Sequence, residues 1–422
     1  MNKKKYVNRN YLTTTRIIAL GFLITVIVGT ILLSLPIASA NGTWTDLLTA
    51  AFTSTTSVCV TGLVVVDTFS YWSLFGKGVI LILIQIGGLG IVSIITLFML
   101  LFRMKITLKS TMLLQDAFNL NSKQGLLKFT IKVIKGTFLI EGIGAFIYSF
   151  YYCREYGLLK GIWFSVFHAV SAFCNAGLDI MGADSLIPYH SNLLMMLNTS
   201  FLIIMGGIGF IVWWDTVEAF RRIRTKKCSI RSAWNGVHLQ TKIAIFMTLL
   251  LLIGGTVVIY FLERSNPDTL GNLSEKDRIL NAFFQSVTLR TAGFAAVPQA
   301  ALRPVTAFFG ALLMMIGGSP VGTAGGMKTV TIAVIFFTFA AMIRNHEDTE
   351  VFKRNIPVSV VKKAVAIVFL SMSTIFIMTI LLMATNDVNL LDALFEVASA
   401  VCTVGLSRNL TPVLNTAGQI II

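Results

Sequence analysis

The amino-acid sequence predicts an all-α polytopic membrane protein, and three observations support that prediction. Hydrophobic residues make up 55% of the 422 positions and charged residues only 13%, with a mean hydropathy of +0.80. A soluble fold of this length needs far less apolar surface. Apolar runs long enough to cross a bilayer as helices recur along the chain, and a short glycine-containing motif recurs four times between them.

Seven apolar runs reach the roughly 20 residues that a membrane-crossing helix needs. They cover residues 16–38, 73–102, 126–152, 191–220, 238–262, 302–343 and 358–385. The first run is longer than the core of a typical signal peptide and is predicted to remain as a helix. An eighth run begins near residue 411 and stops at Ile422 after only ~18 Å of helix, which predicts a truncated C-terminal end.

The net charge of +15 is unevenly distributed along the chain. Of the 34 lysines and arginines, 24 lie in the N-terminal segment and in the stretches 103–135, 221–242 and 344–363. Basic residues favour cytoplasmic connections, so these stretches and the N-terminus are predicted to lie on the cytoplasmic side of a cell membrane. The pattern indicates membrane topology and contact with membrane lipids, and it argues against nucleic-acid binding.

The recurring motif ends in a glycine followed by a large apolar residue. Its four copies read "AFTSTTSVCVTGL", "VFHAVSAFCNAGL", "AFFQSVTLRTAGF" and "LFEVASAVCTVGL". The glycines are Gly62, Gly177, Gly293 and Gly405, spaced 115, 116 and 112 residues apart, and a phenylalanine stands ten residues before each of them. This register predicts four pseudo-repeated units, which we assign to residues 1–105, 106–225, 226–345 and 346–422.

Each unit is predicted to be a helix, a short apolar segment of about 12 residues, a polar turn ending at the glycine, and a returning helix. Non-helical backbone at membrane depth is tolerated only where protein or water satisfies it, so the four helix–pore loop–helix units predict one central pore. The short helices point the negative ends of their dipoles at its centre, where free carbonyl groups can replace the water shell of a cation.

Four such motifs in one chain, "TSVCVTGLV", "SAFCNAGLD", "LRTAGF" and "CTVGLS" in order, resemble the membrane subunit of Ktr/Trk-type potassium uptake systems, closest to the Ktr branch. The resemblance implies potassium uptake across a bacterial plasma membrane by a homodimer with one pore per protomer. It also implies a cytoplasmic nucleotide-binding regulatory ring of the potassium-conductance regulator type, carried by a separate protein. The regulatory nucleotide and any dependence on Na⁺ stay open.

The resemblance further implies a selectivity filter made of the last three residues of each turn. These twelve residues are Val60, Thr61, Gly62, Asn175, Ala176, Gly177, Thr291, Ala292, Gly293, Thr403, Val404 and Gly405. K⁺ in this filter is the only metal expected, and no covalent cofactor is expected. None of the turns has the longer TVGYG sequence of tetrameric potassium channels, so K⁺ and Rb⁺ are expected to be preferred over Na⁺ by a modest margin.

The run 302–343 would be about 63 Å long if it were fully helical, so its glycine-rich middle, "GGSPVGTAGGMKT", is predicted to be non-helical. In the resembled family this is an intramembrane gating loop, here residues 317–328. The gate residues implied are Gly317, Gly318, Gly322, Gly325, Gly326 and Lys328. Lys328 is expected to pair near the gate. Glycine pairs in "QIGGLGIV" and "IMGGIGFI" predict close helix packing or a bend.

Arg290 stands three residues before its glycine, where the other units have Cys59, Cys174 and Cys402. All four residues are expected to support the filter from behind. The cysteines are more than 100 residues apart without a CxxC pair, which favours a packing role over a metal site. Arg290 is predicted to be a strut that pairs with a carboxylate, with Glu396 as the candidate, or donates to carbonyls behind the filter.

Three other acidic residues are candidates for a functional role. Glu141, inside a predicted crossing, is interpreted as functional or, preferably, as an interhelical hydrogen-bond partner. Asp67 and Asp179 follow two of the turns and are expected to concentrate cations at the pore mouth.

The residue pattern leaves two alternative functions open and disfavours a third. A less selective Na⁺/K⁺ uptake channel and an ion-coupled secondary transporter remain as alternatives, although the parallel order of the repeats and the lack of carboxylates in the turns disfavour the transporter. An intramembrane enzyme is disfavoured because no HExxH or similar pair exists. The four histidines are His168, His190, His238 and His346, and they are scattered along the chain.

Overall fold

The computed structural model describes residues 14–90, 93–97, 126–226, 229–346, 348–352 and 354–422. The first four N-terminal basic residues, the 103–125 part of the first basic stretch and the predicted boundary at residue 105 lie outside these residues. The described chain is overwhelmingly helical, which confirms the predicted all-α membrane class.

The helices follow one another in four similar groups. The first group contains α1 (Thr14–Ser34), α2 (Leu47–Val58), α3 (Thr68–Tyr71) and α4 (Leu74–Leu89). The second contains α5 (Leu126–Tyr156), α6 (Leu158–Cys174), α7 (Leu193–Gly207) and α8 (Phe210–Lys226). The third contains α9 (Ile230–Asn235), α10 (Leu239–Glu263), α11 (Glu275–Thr288), α12 (Pro304–Met315) and α13 (Thr329–Ile343). An antiparallel ribbon of β1 (Glu350–Val351) and β2 (Arg354–Asn355) precedes the last group, α14 (Val358–Thr385), α15 (Leu390–Val401) and α16 (Thr416–Ile421).

The first long helix of each group is apolar and long enough to cross a membrane. Within the described residues these helices are α1, α5, α10 and α14. They expose large apolar side chains such as Ile24, Phe146 and Phe376, as expected for lipid-facing surfaces. The short helices α2, α6, α11 and α15 lie inside this shell, and most of their side chains in the second half of each helix are buried.

Neighbouring groups pack by one repeated contact. The returning helix α4 lies against α6 of the second group, α7 lies against α11 of the third, and α12 lies against α15 of the fourth. The same contact made three times in chain order arranges the groups in a rotation about a common centre. The short helices therefore converge toward the middle of the protein.

The predicted crossing at 191–220 contains a sharp bend, one of the two outcomes predicted for the glycine pair in "IMGGIGFI". Helix α7 ends at Gly207, and α8 leaves at an angle of 97°. Gly209 has a φ of 95°, which ends the α-helical path. The carbonyls freed at the break have other hydrogen-bond donors: Gly206 O accepts from Thr323 N at 3.1 Å, and Gly207 O accepts from Ser319 N at 2.8 Å.

The other two glycine-rich runs behave as predicted. The helix α4 ends at Leu89, Gly90 has a φ of 77°, and a Cβ on Gly88 would collide with Cys174, so this run combines a bend with close packing. The run 302–343 is broken between Met315 and Thr329, which confirms its predicted non-helical middle.

Candidate functional site

Four turns with the same backbone conformation follow the short helices. The first residue of each turn is non-glycine with a positive φ: Val60 (57°), Asn175 (60°), Thr291 (63°) and Thr403 (52°). Two residues later each turn has a glycine with a positive φ: Gly62 (93°), Gly177 (65°), Gly293 (82°) and Gly405 (93°). Glycine adopts this conformation without strain, whereas Val60, Thr291 and Thr403 are strained in it, so surrounding contacts must hold these three residues in place.

The four glycines bring the turns into backbone contact with one another. A Cβ on Gly177 would lie 2.7 Å from Ala292 O, and one on Gly293 would lie 2.6 Å from Val404 O. In the same way Gly62 abuts Ala176 O, and Gly405 abuts Thr61 O. Each glycine therefore faces the carbonyl of the next unit, and the fourth closes on the first. We call residues 60–62, 175–177, 291–293 and 403–405 the four-turn ring.

The ring contains all twelve residues that the sequence predicted as one site, and the structure brings them together in chain order. Each turn directly follows the C-terminal end of a short helix, the end that carries partial negative charge. None of the ring side chains is ionisable. The arrangement offers backbone oxygens and helix dipoles to a cation, without a carboxylate.

Side-chain hydroxyls of the short helices hold the ring, and the sequence analysis missed them. Thr56 Oγ1 accepts from Gly62 N at 2.9 Å, and Ser399 Oγ accepts from Gly405 N at 3.0 Å. In the other two units the hydroxyl donates instead, Ser171 to Leu178 O at 2.5 Å and Thr288 to Phe294 O at 2.7 Å. A signal existed in the sequence, since every motif has Ser or Thr five or six residues before its glycine.

Behind the second turn, Glu141 lies buried between helices. Gln85 Nε2 donates to its carboxylate at 3.1 Å and 3.3 Å, and Cys174 Sγ lies 3.9 Å from it. The interhelical hydrogen bond preferred for Glu141 is confirmed. Of the other cysteines predicted to support the filter, Cys402 is buried whereas Cys59 is exposed.

Arg290 is 7% exposed, and its Nη2 donates to Gly317 O at 3.2 Å. The predicted pairing with Glu396 is wrong. The Glu396 carboxylate accepts from Ser407 Oγ at 2.9 Å and from Thr411 Oγ1, both on the segment that follows the ring in its own unit. These hydroxyls satisfy the carboxylate locally, whereas Arg290 reaches a carbonyl of the loop between α12 and α13.

That loop, residues 316–328, passes beneath the ring, and we call it the crossing loop. Thr323 Oγ1 donates to Phe173 O at 3.0 Å and lies 3.1 Å from Asn175 Oδ1, both in the second unit. A Cβ on Gly325 would overlap the Thr403 hydroxyl in the fourth unit. The second and fourth units stand opposite each other in the ring. The loop therefore crosses from one side to the other.

The crossing loop is closed at its base by its own backbone. Gly317 N donates to Met327 O at 3.0 Å, and Met327 N donates to Met315 O at 3.1 Å. Lys328 is half-buried, and its Nζ donates to Ala324 O at 2.5 Å. The partner of Lys328 is thus the loop itself.

On the opposite side of the ring a funnel of about 760 Å³ opens. All four ring glycines form its floor, and its walls include Asp67, Asp179, Asp184 and Gln299. The two aspartates singled out in the sequence therefore share one cavity with the ring. Carboxylates around a mouth with apolar walls raise the local cation concentration.

Arg408 was also missed by the sequence analysis. Its Nε donates to Asp392 Oδ1 at 2.6 Å, and its Nη1 donates to Gln299 O at 3.1 Å and Leu302 O at 3.3 Å. This clamp ties the fourth unit to the third beside the funnel. The available signal was a basic residue three positions after a ring glycine, which occurs in this unit alone.

A rotation of helical units, a closed ring of backbone turns and an acidic funnel together define a membrane protein built to handle a cation. Residues 3–422 match the model of the TrkH family, described as cation transport protein. The chain belongs to this family, which is one of transporters and not of enzymes.

Individual proteins agree with this assignment. The chain is 37% identical to the potassium/sodium uptake protein NtpJ of Enterococcus hirae, over 98% of this chain and 90% of that protein. It is 37% identical to Ktr system potassium uptake protein B of Bacillus subtilis, over 100% of this chain and 92% of that protein. Among solved structures, the potassium transporter TrkH of Vibrio parahaemolyticus has the same fold, with a TM-score of 0.71, 17% identity, and coverage of 100% of this chain and 83% of that one.

We expect Gly177→Ala to destabilise the protein more than Gly42→Ala. Both glycines have a similar positive φ, 65° and 68°, so the backbone strain of about 1 kcal/mol is shared. Only Gly177 has backbone atoms of another unit within 3 Å of a new Cβ, whereas Gly42 has nothing within 4 Å. Thermal unfolding in detergent should therefore show a clearly larger loss for Gly177→Ala. Equal losses would mean that the ring is looser than the structure shows.

Proposed function

We propose that the chain carries K⁺ into the cell along the axis of the four-turn ring. The observation that carries this proposal is the cyclic contact of each ring glycine with a carbonyl of the next unit. The names of the relatives in Enterococcus hirae and Bacillus subtilis, a potassium/sodium and a potassium uptake protein, support the same ion. The four predicted units then form the quarters of one pore, with the ring as its selectivity filter.

The ring favours a weakly hydrated monovalent cation. Backbone oxygens and helix C-termini replace part of its water shell, and no carboxylate binds it too tightly to leave. Each turn contributes a single short stretch of three residues, so few layers of oxygens are available. The ring is therefore expected to prefer K⁺ and Rb⁺ over Na⁺ by a modest margin.

A second candidate function is less selective uptake of both K⁺ and Na⁺. The specific observation in its favour is the printed name of the Enterococcus hirae relative, which covers both ions. The two candidates share the same path and differ only in how strongly the ring discriminates.

We propose that the crossing loop is the gate. Its position beneath the ring, spanning from Asn175 to Thr403, supports a role as a barrier to an ion that leaves the ring. Two hydrogen bonds hold it on the α7 break, Ser319 N to Gly207 O and Thr323 N to Gly206 O. Arg290 reaches it from the third unit through Gly317. An opening of the gate would have to release these contacts.

We further propose that the chain lies in the bacterial plasma membrane, with its N-terminus and the basic connections on the cytoplasmic side. The chain would act as a homodimer beneath which a separate nucleotide-binding ring controls the gate. The Ktr name of the relative in Bacillus subtilis supports a membrane component of a larger system. The excess of basic residues in the 221–242 and 344–363 connections supports the orientation.

The selectivity claim can be tested by ⁸⁶Rb⁺ uptake into proteoliposomes with K⁺ or Na⁺ as competitor. We expect K⁺ to compete at a roughly tenfold lower concentration than Na⁺, a difference of about 1.4 kcal/mol. Gly293→Ala should shrink this ratio, because a Cβ there displaces Val404 O and two other glycine Cα atoms. The control Gly42→Ala should keep it. A ratio unchanged in Gly293→Ala would exclude the ring as the selectivity element.

The gate claim predicts a different outcome for Thr323→Val, which keeps nearly the same side-chain volume but removes the hydroxyl that binds Phe173 O and the Asn175 side chain. ⁸⁶Rb⁺ flux should rise by several-fold, whereas the K⁺/Na⁺ competition ratio should stay constant. The matched control is Thr374→Val on the lipid-facing surface of α14, where the lost hydroxyl bonds only to its own helix. A change in ratio, or equal flux in both variants, would speak against the loop as a gate.

A further inference from the structure

A basic pocket of about 420 Å³ lies between α5 and α8, away from the ring and the funnel. Its lining residues are Lys132, Trp214, Val217, Glu218, Arg221, Arg222 and Thr225. Three of these side chains are cationic and one is anionic. Arg222 Nη2 binds Glu218 Oε1 at 2.7 Å, so the carboxylate is already engaged within its own helix. The pocket therefore has an excess of positive charge.

The composition of α8 favours a position near the level of the lipid headgroups. Helix α8 leaves the apolar helix α7 at 97°, and its second half carries several charged residues that the hydrocarbon interior does not tolerate. On α8 the apolar side chains Val217 and Phe220 are 55% and 66% exposed, next to the basic residues at 221 and 222. Exposed apolar and basic side chains on one short helix are typical of an interfacial helix.

The tryptophan in the pocket agrees with this depth. The Nζ atom of Lys132 lies 5.3 Å from the centre of the Trp214 ring. Tryptophan is enriched at the level of lipid headgroups. A ligand that enters here would meet cations at its head and apolar side chains along its tail.

We propose that this pocket binds the phosphate headgroup of an anionic phospholipid. Lys132 on α5 and Arg221 on α8 both line the pocket, and lysine and arginine are the usual phosphate donors at such sites. The acyl chains would lie over Val217 and Phe220. An acidic protein surface fits less well, because it would leave these two apolar side chains exposed to water.

The bound lipid would also act on the crossing loop, a consequence that rests on the proposed function. Phe210, the first residue of α8, donates its N–H to Val321 O at 2.8 Å. A Cβ on the preceding Gly209 would lie 2.5 Å from Pro320 O. Helix α8 is therefore joined directly to the loop, and a lipid that anchors α8 favours one position of the loop over others.

The test compares two double variants that remove the same charge from the same helices. Lys132→Gln/Arg221→Gln removes two cations from the pocket, and Lys128→Gln/Arg224→Gln removes two that do not line it. Detergent-purified, delipidated full chain is titrated with short-chain phosphatidylglycerol, with phosphatidylcholine and inorganic phosphate as separate probes. Binding is measured as stabilisation against thermal unfolding, which is independent of transport.

We expect phosphatidylglycerol to stabilise the wild type and the control variant, and the pocket variant to bind it at least about tenfold more weakly. Equal weakening in both variants would overturn the proposal, because it would mean general charge attraction. An equal effect of inorganic phosphate would overturn the lipid as ligand. Binding of an acidic polyglutamate peptide in place of the lipid would assign the pocket to a protein partner and overturn it as well.

A second readout separates this proposal from the proposed function. ⁸⁶Rb⁺ flux is measured in phosphatidylcholine liposomes with and without phosphatidylglycerol, and we expect a several-fold difference that the pocket variant loses. If lipid binding is specific and no Rb⁺ enters under any condition, the transport proposal fails and the lipid site stands. If Rb⁺ enters equally with and without phosphatidylglycerol, the link from α8 to the loop is overturned.

Discussion

The structure depends on one constraint, which is that non-helical backbone inside a membrane must find hydrogen-bond partners within the protein. The broken helix α7 and the crossing loop meet this need together. The carbonyls that α7 frees at Gly206 and Gly207 accept from the amides of the loop, and the loop carbonyl of Val321 accepts from the start of α8. Two irregular segments that would each be unstable alone satisfy one another, so separating them would leave backbone groups of both without partners.

The four-turn ring obeys the same constraint with a different outcome. Hydroxyls of the short helices bind two of the ring glycines and the carbonyls that directly follow the other two, and the glycines let the turns approach until backbone meets backbone. Charged groups lie behind this ring and not within it: Glu141 binds Gln85, Glu396 binds two hydroxyls, and Arg290 binds a loop carbonyl. The ring itself keeps only dipoles, which suits an ion that must bind and leave again.

Much of the fold and of the candidate site could be predicted because it rests on local chemistry. Glycine at fixed intervals marked all four turns, since only glycine combines a positive φ with such close approach. Apolar length marked the crossings, and the glycine-rich run marked the break before Thr329. What could not be predicted depends on partners far apart in sequence. The loop amides that bind the carbonyls freed at the α7 break lie more than 100 residues later in the chain, and the Glu396 carboxylate accepts from hydroxyls near its own turn instead of from Arg290. The clamp of Arg408 on Gln299 and Leu302 likewise joins units that the sequence alone does not place side by side.

The central claim is that the ring binds a monovalent cation by its backbone oxygens. Anomalous X-ray scattering from crystals of the full chain grown in Rb⁺ tests it most directly, because Rb⁺ substitutes for K⁺ and its position can be seen. The account predicts an anomalous peak on the ring axis, within coordination distance of carbonyl oxygens from all four turns. A peak found only at the funnel carboxylates Asp67 and Asp179, or no peak in the ring at saturating Rb⁺, would contradict it.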